Sequence, residues 1–212
     1  MNEDRALAEL SRERNSRNLT WLYTCKFMLG VYMNDLSSAK EADGLTKKLR
    51  RLLRGGGILS DQHFAFYEGL VCCQLAHFSK APRRRRLRIR VENCLKRLRS
   101  VAVVNPANFQ NKMFLLEAEF ASLDCHANIF LPLYEKSIEC AATEGLLHEQ
   151  ALACEKAAFS ILREKPDLSN ARPYIERARD LFEKWGAVVK LDRLDKLLQE
   201  GSAVQEKDRS DM

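Results

Sequence analysis

The chain has 212 residues, with 35 Lys or Arg against 29 Asp or Glu for a formal net charge of +6, and only nine Gly and five Pro. That length suits one sizeable domain or a short repeat array, and the composition favours a soluble helical protein over a β-sandwich or a disordered chain. No apolar run approaches the roughly 18 residues of a membrane-span candidate, and the charged start Met1-Asn-Glu-Asp-Arg5 lacks the apolar core of a signal peptide.

The charge is unevenly placed. Residues 45–99 carry fifteen Lys or Arg against Asp61, Glu68 and Glu92, a net of +12, whereas residues 1–44 come to −1 and residues 105–212 to −5. A basic middle segment therefore sits in an otherwise mildly acidic chain. The seven cysteines (25, 72, 73, 94, 125, 140 and 154) are odd in number, scattered, and never spaced Cys-x-x-Cys. They read as reduced, buried small hydrophobes of a cytoplasmic protein.

In chain order, residues 1–18 form a lead-in that starts helix-like at Glu3–Leu10 and is interrupted by Asn15, Ser16 and Asn18. Leu22, Tyr23, Lys26, Phe27 and Val31 predict a helix over 19–33, and Asn34-Asp35 with Ser37-Ser38 predicts a turn and a new N-cap. Ala42, Leu45, Leu49, Leu52 and Leu53 predict a helix over 37–54, ended by Gly55-Gly56-Gly57. The third helix, over 60–79, buries Phe64, Tyr67, Leu70, Val71, Gln74, Leu75 and Phe78. After Ala81-Pro82, Arg83-Arg-Arg-Arg-Leu-Arg-Ile-Arg90 leads into Val91, Cys94, Leu95, Leu98, Val101 and Ala102. The apolar spacing continues through the arginines, so the basic run forms the first turns and solvated face of a fourth helix over 84–104, where its charge opposes the helix dipole.

Asn105-Pro106 is an N-cap followed by proline at the first helical position, opening a fifth helix with Phe109, Met113, Leu116, Phe120 and Leu123. The sixth, over 128–145, holds Ile129, Leu133, Tyr134, Ser137, Ile138 and Ala141 and ends at Gly145. The seventh, over 147–164, holds Ala151, Cys154, Ala158 and Ile161 and is stopped by Lys165-Pro166-Asp167. The eighth is the most regular: Ala171, Tyr174, Ile175, Ala178, Leu181, Phe182 and Trp185 share one face, and Gly186 supplies the left-handed end. A ninth helix on Leu191, Leu194 and Leu198 runs over 187–199, and the polar 200–212 is expected to be a disordered tail.

These helices pair as 19–54, 60–104, 105–145 and 147–186, with starts about 40–45 residues apart, the period of a helical solenoid. The expected fold is all-α: a tetratricopeptide-like, right-handed helical-repeat solenoid of about four antiparallel pairs plus a C-terminal helix, filling 19–199. Ala178-x-x-x-Phe182 matches one fragment of the tetratricopeptide pattern, and its tryptophan-leucine-glycine fragment is absent.

A more specific likeness rests on Asn105-Pro-Ala-Asn-Phe109, Leu115-Leu-Glu-Ala-Glu119, Tyr134-Glu-Lys-Ser-Ile138, Gly145-Leu-Leu-His-Glu-Gln-Ala-Leu-Ala-Cys-Glu155, Ala171-x-x-Tyr174 with Ala178, and Trp185-Gly-Ala-Val-Val-Lys190. In this order they resemble the C-terminal helical-repeat region of large predicted signalling ATPases. Over 19–104 the likeness is carried by helix pairing and Phe66-Tyr-Glu-Gly-Leu70. The resemblance implies a P-loop ATPase core, often behind a serine/threonine kinase domain, with the repeats next and then a GAF domain with a histidine kinase or cyclase. This chain has no Gly-x-x-x-x-Gly-Lys-Ser/Thr, no His-Arg-Asp and no Asp-Phe-Gly. None of the family's nucleotide or phosphoryl-transfer residues carries over, and the expectation is a non-enzyme.

Candidate sites are few. His148-Glu149 begins a helix with no second His at i+4, and Asp124-Cys125-His126 falls in a turn, so capping and packing outweigh metal or nucleophile chemistry. Glu119 and Glu155 hold equivalent repeat positions, read as salt-bridged between repeats rather than as a carboxylate pair. Tyr174, Phe182 and Trp185 read as core. Cys72 and Cys73 point to different sides of one helix. No catalytic, cofactor or metal residue is assigned. The candidate anion- or partner-binding residues are Arg83, Arg84, Arg85, Arg86, Arg88 and Arg90. Their leading reading is a solvated face contacting acidic repeats or a partner protein such as an ATPase or kinase domain. The alternatives are a surface for nucleic acid or anionic lipid formed by Lys47–Arg54 and Arg83–Arg99, or a nuclear-import signal in the Arg83–Arg90 run.

Overall fold

The computed structural model describes residues 16–34, 36–53, 61–124, 127–166 and 168–210. The lead-in 1–15, the glycines Gly55–Gly57 and the Cys125-His126 dipeptide lie outside them. All regular structure among the described residues is helical: α1 (Ser16–Met33), α2 (Leu36–Leu53), α3 (Asp61–His77), α4 (Ala81–Val104), α5 (Pro106–Ala121), a 3-10 turn (Ser122–Asp124), α6 (Ala127–Thr143), α7 (Leu147–Glu164), α8 (Leu168–Trp185) and α9 (Val188–Ser210). Within the same residues, no helix is long and apolar enough to cross a membrane. The chain divides into two compact units, Met1–Leu98 and Arg99–Met212.

In the first unit α1 and α2 cross closely, because Gly30 has no side chain to hold them apart. A Cβ there would lie 3.0 Å from both the Ala42 Cβ and the Ser38 carbonyl oxygen. Asn34 makes the turn at φ 52°, a left-handed conformation that asparagine tolerates better than most residues. α3 is the centre of this unit: every residue from Phe64 to Ala76 is buried, as in a helix surrounded by neighbours. Phe78, expected on its buried face, is instead 64% exposed, because α3 ends at His77 and Phe78 turns away with its N–H on the Leu75 carbonyl. α4 buries Leu87, Val91, Cys94, Leu95 and Leu98, the stripe expected from their spacing.

In the second unit, Pro106 opens α5 at a position where its missing N–H leaves no bond unmade. The Asn105 side chain does not cap the backbone as expected; its Oδ1 accepts from Asn108 Nδ2 at 3.0 Å. Gly145 and Gly186 both take positive φ, 68° and 84°. Each closes its helix with a 6→1 bond, Leu146 N–H to the Ala141 carbonyl and Ala187 N–H to the Phe182 carbonyl, both 2.9 Å. The expected terminating glycines are therefore in place.

Side-chain bonds fix the helix directions. Glu119 meets Tyr134 while the Asn111 carbonyl meets Ser137, so α5 and α6 are antiparallel. Tyr134 meets Ser160 while the Ala127 N–H meets Glu164, so α6 and α7 are antiparallel. α8 returns along α7 and α9 along α8, where Arg179 binds Asp195. α7 is central here, buried at every position from Glu149 to Ala158, with Ala151, Ala153, Ala157 and Ala158 letting its neighbours approach. α9 continues to Ser210, beyond 187–199 and into the expected tail. Ala203, Gln205, Glu206, Lys207 and Arg209 favour a helix by intrinsic propensity, which a periodicity criterion does not register.

Candidate functional site

A helix buried along its middle must neutralise any charge buried there, and α7 buries three: Glu149, Glu155 and Lys156. Two of them face α5. Lys112 and Glu119 lie seven residues apart on α5, as do Glu149 and Lys156 on α7, so each pair shares one stripe two turns long. Lys112 Nζ is 2.6 Å from Glu149 Oε1 and 2.7 Å from Oε2, and Lys156 Nζ is 3.6 Å from Glu119 Oε2. Both pairs join residues 37 apart, so α5 and α7 run parallel, in register, with opposite signs facing.

Each pair is further satisfied. Lys112 donates to the Asn108 carbonyl at 2.8 Å, and Asn111 Nδ2 donates to Glu149. Burial would raise the Glu149 pKa, but hydrogen bonds from His148, Lys112 and Asn111 and the lysine charge lower it to about 2. Glu119 accepts from the Tyr134 hydroxyl, which also meets Ser160 Oγ at 2.8 Å. Burial first, and the Glu119 charge next, hold the Tyr134 hydroxyl well above its ordinary pKa. Arg163 donates to Ser160 Oγ at 2.7 Å at the edge of the network.

The third charge faces α9. Lys190 Nζ lies 2.5 and 2.7 Å from the two Glu155 oxygens and 5.1 Å from the Phe182 ring centre. Burial lowers the Lys190 pKa while Glu155 opposes that shift. Glu119 and Glu155 are thus salt-bridged to lysines of the next odd-numbered helix and form no carboxylate pair. Sequence reasoning missed Lys112, Lys156 and Lys190. The available signal was Lys156 standing inside Ala151–Ala158, where no solvent face exists.

In the first unit Glu68, fully buried on α3, accepts from Arg50 at 2.7 and 2.9 Å and from Arg90 at 3.0 and 3.2 Å. Arg90 NH1 also donates to Asp43 at 2.8 Å. The six candidate arginines therefore divide. Arg90 is turned inward as part of the scaffold; Arg83, Arg85 and Arg86 are exposed; Arg84 and Arg88 are half-buried. Arg84, Arg85 and Arg88, with Ala81, Ile89 and Glu92, line a hollow of about 390 Å³. Of the Lys47–Arg54 stretch, the Arg50 side chain is described and it is bound to Glu68, whereas those of Lys47, Lys48 and Arg51–Arg54 lie outside the described residues.

The aromatic expectation needs correction at Trp185. Phe182 is fully buried, but Trp185 is 46% exposed. As the last residue of α8 it projects past the core, where its ring stacks on His148 with centres 5.4 Å apart. Tyr174 is half-buried and donates its hydroxyl to Glu135. His148 and Glu149 are within 3.6 Å, and among the described residues no group of three or more His, Cys, Asp or Glu gathers for a metal. Cys125 and His126 of the Asp124-Cys125-His126 turn lie outside those residues. No family model matches the chain, and comparison with curated proteins and with solved structures returned no match.

Proposed function

We propose that this chain is a non-catalytic helical-repeat scaffold that binds protein, with its helix pairs stacked as a tetratricopeptide-like right-handed solenoid. On this reading it is related to the sensory or regulatory repeat arm of signalling ATPases, and its partner is a protein of that signalling apparatus, such as an ATPase or kinase domain. The observation that carries the reading is the apolar end of the second unit. Trp185 at the end of α8, Val188 and Val189 at the start of α9, and Leu147 at the start of α7 are all exposed, and the Trp185–His148 stack brings the two ends together. Exposed tryptophan among aliphatic side chains is the composition of an interface centre. The parallel register of α5 and α7 supports the repeat arrangement, since it is what successive first helices of a stacked pair adopt.

Affinity purification with the full chain, quantified against Trp185→Glu/Val189→Glu, tests the reading. The expected result is a defined protein retained by the parent and lost by the variant, both melting cooperatively, with no nucleotide hydrolysis by the purified chain. Identical capture by parent and variant, or nucleotide hydrolysis that copurifies with the chain, overturns it.

A further inference from the structure

We propose that the outer face of α4 is a binding site for the phosphate backbone of double-stranded nucleic acid. Leu87, Val91, Cys94, Leu95 and Leu98 fix one side of the helix inward. That leaves Arg85, Arg86, Lys96 and Arg97 exposed on the outer side, with Arg88 half-buried at one edge and Arg83, on the stripe of Arg90, exposed at the start of the helix. Glu92 is the acidic residue of this stretch. Arg90, which would otherwise extend the face, is bound to Glu68 and Asp43. That pairing ties α4 to α2 and α3 while the outward arginines point away from it. Arg85 and Lys96, eleven residues apart, span about 16 Å of helix axis.

Three features select the ligand. Arginine predominates over lysine, and its forked donors match phosphate oxygens in a way that a point charge does not. A membrane-surface helix needs a broad apolar sector to enter the lipid. Here Ile89 is the apolar residue at the middle of the outward face, set among Arg85, Arg86, Glu92, Asn93 and Lys96. Single strands are gripped by stacking bases on aromatic side chains, and α4 contains no aromatic residue. A cationic helix face with no aromatic residue of its own, the exposed Phe78 lying in the turn before it, suits a duplex, whose backbone presents a charge about every 1.7 Å along its axis.

The test is binding of the full chain to short DNA and RNA duplexes, to the same single strands, and to phosphatidylserine vesicles, across a salt series. With Arg85, Arg86, Lys96 and Arg97 each neutralising a phosphate, the slope of log affinity against log salt for a DNA duplex is about −3.6, a loss of about 150-fold between 50 and 200 mM. Arg85→Ala/Arg86→Ala/Arg97→Ala, all at exposed positions, should melt as the parent does and flatten the slope by about 2.7. The triple lysine variant should keep the slope but bind more weakly than the parent. Binding to the DNA or the RNA duplex, or to both, with these slopes supports the proposal. Absent or salt-insensitive binding, preference for single strands, binding to vesicles alone, or a triple alanine variant that binds like the parent overturns it.

Discussion

Lys190 at the start of α9 holds both carboxylate oxygens of Glu155, at 2.5 and 2.7 Å, inside a site that water scarcely reaches. The pair ties the final helix to the central helix of its unit, and it repeats in another setting the link that Lys156 makes to Glu119. Such pairs add little net stability against an apolar replacement, because desolvation of both charges offsets their attraction, yet losing one partner is severe. Glu155→Gln, which leaves Lys190 charged and buried, should therefore cost about 3–5 kcal/mol. Glu155→Leu/Lys190→Met should recover most of that loss. Urea denaturation of Glu155→Gln, Lys190→Met and the double variant checks it, and a double variant as unstable as either single one would contradict it.

The helices were legible because their apolar residues recur at three and four, and Gly145 and Gly186 marked two ends by a backbone requirement that no other residue meets as easily. Burial around a whole helix was not legible at α3 or α7. Small residues and cysteines there occupy positions that an amphipathic pattern assigns to water. For the same reason the buried pairing of Lys112, Lys156 and Lys190 was not singled out: it depends on which helix lies opposite, and that is a tertiary fact. Arg90 was indistinguishable from Arg83–Arg88 in a run of like residues, and only the position of Glu68 separates it. Trp185 shares its helix face with Phe182, but the face extends past the end of the core, and periodicity alone does not mark where a core stops.

Glu149 makes stability depend on acid. Its folded pKa of about 2 lies below the ordinary value of 4.5, so its contribution is fully present above pH 4.5 and is lost as pH falls toward 2. A shift of that size corresponds to roughly 3 kcal/mol. The unfolding free energy of the parent should fall across this window more steeply than that of Glu149→Gln. The variant starts lower at neutral pH, because Lys112 loses its counter-charge. Parallel curves for the two proteins between pH 4.5 and 2 would exclude Glu149 as the source.

Phe182 and Trp185 sit three residues apart and should respond differently to truncation. Phe182 is fully buried under Lys190, so Phe182→Ala should cost about 3–5 kcal/mol. Trp185 rests on His148 with nearly half its surface in water, so Trp185→Ala should cost only about 1 kcal/mol. Thermal melts of the two variants decide this. A loss at Trp185 equal to that at Phe182 would return the tryptophan to the core and remove the surface on which protein binding is proposed.

The cysteines should sort by burial. Cys72, Cys94 and Cys154 are buried, and burial pushes all three thiols up, Cys94 and Cys154 to about 12. Almost no thiolate then exists at neutral pH to attack an alkylating reagent. Cys25 is exposed on α1 and Cys140 is partly exposed on α6. Among the described cysteines, alkylation followed by peptide mass spectrometry should modify Cys25 first and Cys140 next. Cys72, Cys94 and Cys154 should react only once denaturant opens the units. Labelling of Cys154 in the native chain would show α7 opening locally, since reagent reaches that thiol only if α8 or α6 moves off it.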